Sequence, residues 1–172
     1  MTLYALGDIE PKIHPDAFVH PDCTIIGNVE IGAGSTIWPQ AVLRGDQSRI
    51  VVGDRTSVQD GAVLHCTRHL ETIVGDDVTI GHLAHLEGCV VESGSLIGTG
   101  SVVLHNAIVR TGALVGAGAV VPNGMEVPSG AMALGVPAKI KEGAVNPAQV
   151  TFPAEEYVRN CARYLAEMRR ID

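Results

Sequence analysis

The sequence predicts an all-β solenoid, a parallel β-helix of hexapeptide repeats with a C-terminal α-helix packed along it. Three observations predict this. An aliphatic residue returns every six positions over most of the chain, aromatic residues make up only 3% of it, and 20 of its 172 residues are glycine. Ordinary globular cores lean on Leu and Phe, whereas narrow, uniform layers suit Val, Ile, Ala and Gly. A period of six matches neither a 3.6-residue helix nor a two-residue alternation. It matches a chain that runs extended, turns and repeats, so that three hexads close one triangular coil.

The first run of hexads comprises Ile13, Val19, Ile25, Ile31, Ile37 and Leu43. A nine-residue step leads to Val52, Val58 and Leu64, and a second break, "HCTRHLETI", leads to Val74, Ile80 and Leu86. A five-residue step opens the last run: Val91, Ile97, Val103, Val109, Val115, Val121 and Val127. Each of these residues should point into the prism and stack on its counterpart one coil away, at about 4.8 Å. The prism is expected over about residues 8–130 of a single domain, followed by a turn-rich link at 131–150. Residues 151–172 read as an amphipathic helix. Pro153 lies near its start, Glu155 and Glu156 in its first turn, and Arg169 and Arg170 in its last. Tyr157, Cys161, Tyr164, Leu165 and Met168 form its apolar stripe.

A formal charge of −7 without any basic run argues against nucleic acid or an anionic membrane as the main partner. No window approaches 18 uninterrupted apolar residues, and "MTLYALGDIEPKIHP" lacks the anatomy of a signal peptide. A cytoplasmic protein is expected. Cys23, Cys66, Cys89 and Cys161 show no CxxC spacing and read as reduced thiols.

The stretch "IGHLAHLEGC", residues 80–89, concentrates side chains that bind metals or move protons. Residues three hexads apart at one phase stack on one face. Leu43, Leu64 and Leu86 are so related, so Arg44, His65 and Glu87 after them should form one outward column. Val58 and Ile80 are another such pair. Two positions on, Asp60 and His82 should stack near a corner, with Gln59 beside Asp60. His65 and Glu87 are then close enough to share a metal, while His82 lies on another edge, where a neighbouring subunit could bring it round. Arg44 and Asp46 of "LRGD" read either as a surface or intersubunit ion pair or as a buttress of the site. His14, His20, His69 and His105 read as ordinary exposed histidines.

"AVLRGD", "VGDRTSVQDGAVLH", "VTIGH" and "GVPAKIK" closely resemble the γ-class carbonic anhydrases and their relatives among left-handed β-helix hexapeptide proteins, over nearly the whole chain. The resemblance implies a left-handed prism, a homotrimer, and one Zn²⁺, or Fe²⁺ or Co²⁺, at each subunit interface. It implies His65 and His82 as metal ligands, Gln59 as the group orienting a metal-bound water with Asp60 its neighbour, and Arg44 with Asp46 as an interface pair. The family's third ligand is usually a histidine just before "GC"; here that position is Glu87. Three outcomes stay open: Glu87 completes the site, His85 completes it, or the metal is lost. A carboxylate in place of an imidazole would make a zinc-bound water less acidic.

The activity so implied is reversible hydration of CO₂ to bicarbonate, a carbonate dehydratase reaction, weak or retuned by Glu87. The alternatives are a hexapeptide-type acyltransferase using acyl-CoA, with an outward histidine as general base, and a non-catalytic structural or assembly subunit.

Overall fold

Inward aliphatic residues at one phase force successive coils into register, and the computed structural model, which describes residues 2–172, shows a left-handed parallel β-helix of triangular section. On the first face, strands Val63–His65, His85–Glu87, Val102–Val103 and Val120–Val121 stack on one half of the long strand Val42–Val52. On the second, Thr72–Val74, Val90–Val91, Ile108–Val109 and Glu126–Val127 stack on its other half. The nine-residue step is therefore a strand bent round a corner: residues 42–44 pair with 63–65, and residues 50–52 with 72–74. The third face stacks seven short parallel strands, from Phe18–Val19 through Ser57–Val58 and Thr79–Ile80 to Met132–Leu134.

The periodic aliphatic residues from Ile25 to Val127 are buried. Ile13 and Val19, at the N-terminal end, are only partly covered. The β-structure extends beyond the expected interval in both directions. Thr2–Tyr4 pairs with Thr24–Ile31, and Met132–Leu134 still stacks on Leu114–Val115 before turning back antiparallel against Lys139–Lys141. The last coil escaped the sequence pattern because its inward residue, one hexad past Val127, is the small but fully buried Ala133.

The C-terminal helix spans Ala148–Glu167, so it starts three residues early and stops before Arg169 and Arg170. The start moves because Asn146 organises it: its Oδ1 accepts the Ala148 N–H, and its own N–H donates to Gln149 Oε1. Pro153 consequently lies inside the helix, and Glu155 and Glu156 lie beyond the first turn. Tyr157, Cys161 and Tyr164 pack on Phe18 and Trp38 of the third face. Trp38 anchors this contact, with ring centroids 4.8 Å from Tyr164 and 5.6 Å from Tyr157, in edge-on geometries that favour aromatic pairs. Its indole N–H is satisfied by Thr36 Oγ1 at 2.9 Å and Ser57 Oγ at 3.1 Å. Leu165 and Met168 are exposed, and the buried stripe runs the other way, to Ala154 and Val150.

All four cysteines are buried and free. No helix among the described residues is long and apolar enough to cross a membrane.

Leu64 is fully buried between Leu43 and Leu86 of the adjoining coils. Leu64→Ala should lower unfolding free energy by about 2–5 kcal/mol, because the stacked layers on either side cannot collapse into the void. Urea unfolding followed by circular dichroism measures this.

Candidate functional site

Strand register places Arg44, His65 and Glu87 directly over one another on the first face. Their chain neighbours Leu43, Leu64 and Leu86 point inward, so strand alternation turns these three outward. The His65 ring lies between two carboxylates. Nδ1 is 2.8 Å from Glu87 Oε1, and Nε2 is 3.0 Å from Asp46 Oδ1. The other oxygen of Asp46 accepts a hydrogen bond from the Arg44 guanidinium. A neutral imidazole has one N–H and can donate to only one of these carboxylates. Only 15% of the His65 side chain is exposed.

Burial pushes the Glu87 carboxyl up, but the His65 hydrogen bond and charge, with help from His105 and His85, outweigh it and hold Glu87 below the usual range. Asp46 behaves alike. Burial raises it, and hydrogen bonds from Arg44 and His65 bring it down further than burial lifts it.

The second Glu87 oxygen lies 3.5 Å from both His85 Nε2 and His105 Nε2. His105 was not expected here. The signal that could have found it is the five-residue step, which makes Leu86 pair with Val103 and brings the residues after Val103 alongside Glu87. His105 Nε2 is buried and has no hydrogen-bond partner. His14 and His20 serve their own turns, accepting the N–H groups of Asp16 and Asp22.

A second cluster sits at the corner between the third and first faces. Ser57–Val58 pairs with Thr79–Ile80, and the turns that follow bring His82 Nδ1 within 2.9 Å of Asp60 Oδ2. The His82 side chain is 45% exposed. Gln59 is buried beside Asp60, its backbone N–H donating to the Ile80 carbonyl. The C-terminal helix reaches this corner too. Burial first, and then the negative charge of Asp60, raise the pKa of the Tyr157 phenol.

The structure thus brings Arg44, Asp46, His65 and Glu87 into one cluster and Asp60 with His82 into another, on different edges of the prism. Among the described residues, no three His, Cys, Asp or Glu side chains of one chain are arranged to hold a metal ion. His65 and Glu87 do supply a nitrogen and an oxygen of the kind zinc takes, in contact at 2.8 Å.

A family model described as bacterial transferase hexapeptide (six repeats) matches residues 10–45. The chain is similar in structure to a Bacillus cereus protein described as a candidate acetyltransferase, 36% identical, with a TM-score of 0.92 and coverage of 95% of this chain and 96% of the other. It is equally similar to a hexapeptide transferase family protein from Anaplasma phagocytophilum, 33% identical, with a TM-score of 0.91 and coverage of 95% and 98%. Over 102 residues it is 45% identical to the carnitine operon protein CaiE of Escherichia coli O157:H7, which covers 59% of this chain and 52% of CaiE. The chain therefore spans about half the length of the curated relatives it matches.

Asp46 and Glu87 have folded-state pKa values below their unfolded ones, so the unfolded chain takes up their protons first. Their stabilisation is complete above the unfolded values, about 3.9 and 4.3, and disappears as pH falls through the lower folded values. Urea midpoints of the wild type should therefore fall more steeply below about pH 4.3 than those of the Asp46→Asn, Glu87→Gln double variant. Parallel slopes would show that these carboxylates are not held by Arg44 and His65.

Proposed function

Because the chain belongs to the hexapeptide transferase family, we propose that it is an acyl-CoA-dependent acyltransferase with His82 as general base and Asp60 as its orienting carboxylate. The observation that carries this reading is the 2.9 Å contact between His82 Nδ1 and Asp60, on a half-exposed ring. A carboxylate on Nδ1 holds the imidazole in the tautomer whose Nε2 lone pair can take a proton. His65, with both ring nitrogens engaged, is unsuited to that task.

In the proposed reaction, His82 Nε2 takes the proton of an acceptor hydroxyl or amine as its oxygen or nitrogen attacks the thioester carbonyl. The carbon–sulfur bond then breaks, the acyl group stays on the acceptor, and the proton passes from His82 to the departing CoA thiolate. Asp60 stabilises the imidazolium between these events. The descriptions of the two full-length structural relatives, as a candidate acetyltransferase and a hexapeptide transferase, support the reaction class.

A second reading, hydration of CO₂, is favoured by one specific observation: Glu87 stands in register with His65 at 2.8 Å. In that reading the protein is a homotrimer in which His65 and Glu87 of one subunit and His82 of the next hold Zn²⁺, Fe²⁺ or Co²⁺. The ion would supply a water acidic enough to ionise near neutral pH. Arg44 and Asp46 would hold the His65 ring, and Gln59 would orient the nucleophile. We propose a cytoplasmic location under either reading.

Thiol release from acetyl-CoA, measured over a panel of small amines and alcohols, tests the first reading. His82→Gln should lower kcat by roughly a hundred- to ten-thousandfold, and Asp60→Asn by less. Metal content of anaerobically purified protein separates the readings. Absence of thiol release, together with one metal per site that Glu87→Ala removes, would favour hydration. Neither activity nor metal would leave a non-catalytic subunit.

A further inference from the structure

The corner that carries His82 recurs from coil to coil. Gly61, Leu83, Gly100 and Gly118 occupy its same turn position, sending their N–H groups one coil back to the carbonyls of Pro39, Asp60, His82 and Thr99. All four backbones are left-handed, with φ of +67°, +59°, +65° and +66°. Glycine adopts this conformation freely, whereas a leucine side chain is strained there. Leu83 is thus a leucine where the two adjoining coils use glycine and the earliest uses the polar Gln40. The other non-glycine residues with positive φ among those described, Gln40, Arg55, Asp77 and Asn106, are all polar.

Burial does not offset the strain, because 69% of Leu83 is exposed. Its side chain lies back along the corner: a Cβ placed on Gly61 would stand 2.7 Å from Leu83 Cδ2. Gly61 follows Asp60 and Leu83 follows His82, so the isobutyl group lies over the turn that follows Asp60, one coil back. Strain without a packing return, held beside a reactive pair, points to contact with a ligand.

Resting on the acyltransferase reading, we infer that Leu83 is a specificity-determining residue, the apolar wall against which the hydrocarbon part of the acyl group lies beside His82 Nε2. The substrate class is then an acyl-CoA with a short aliphatic chain rather than acetyl-CoA alone.

Calorimetric titration of CoA, acetyl-CoA and hexanoyl-CoA into the wild type, Leu83→Gly and Leu83→Met tests this. The wild type should bind hexanoyl-CoA more tightly than acetyl-CoA. Leu83→Gly should lose about tenfold of the hexanoyl-CoA affinity, keep the CoA affinity and oligomeric state, and melt no lower than the wild type. Leu83→Met should keep the preference for the longer chain. Unchanged chain-length preference in Leu83→Gly would overturn the inference and leave the acyltransferase reading standing. A lower melting temperature or a dissociated assembly would also overturn it, making Leu83 a packing or interface residue. A wild type that binds no acyl-CoA would sink both.

Discussion

Backbone hydrogen bonds between successive coils hold everything else in this protein in place. Because the strands are parallel and in register, each residue has a fixed neighbour about 4.8 Å above and below it. The inward aliphatic residues enforce that register, since slipping a strand by one position would turn its buried side chain out to solvent. The outward residues are then placed as firmly as the inward ones. Arg44, His65 and Glu87 are far apart in the chain, yet they meet because Leu43, Leu64 and Leu86 stack.

The breaks in the period fall where the polar chemistry is. The three irregular steps follow Leu43, Leu64 and Leu86, immediately before Arg44, His65 and Glu87 begin the turns to the second face. A uniform run of hexads would present small, interchangeable residues at every corner. Lengthening the coil there accommodates Asp46 against His65, and shortening it brings His105 to Glu87. The irregular corners supply the cluster around His65, whereas Asp60 and His82 stand at a corner of regular hexads.

The two histidine–carboxylate clusters differ in the number of ring nitrogens they commit. His65 is clasped on both sides and largely covered, whereas His82 is clasped on one side and half exposed. One geometry suits an imidazole that is positioned, the other an imidazole that takes and returns protons. The C-terminal helix packs near the second cluster. Trp38 draws Tyr157 and Tyr164 onto the third face, and Tyr157 arrives within the field of Asp60.

The solenoid was legible in the sequence because a six-residue period has few structural solutions, and the column of Arg44, His65 and Glu87 followed from counting hexads. The pairing of Asp60 with His82 followed in the same way. Counting failed where the inward residue was small, as at Ala133, and at the helix start, where Asn146 and Gln149 mattered more than Pro153. It failed also for His105, whose place depends on how the chain takes the corner after a short step. By itself the sequence determined which residues share a face, because strand alternation and repeat length are local properties. Only the tertiary structure decided which nitrogen of each histidine meets a carboxylate, and that Leu83 stands strained and exposed at the dyad's corner, because ring orientation and corner geometry depend on neighbours one coil away.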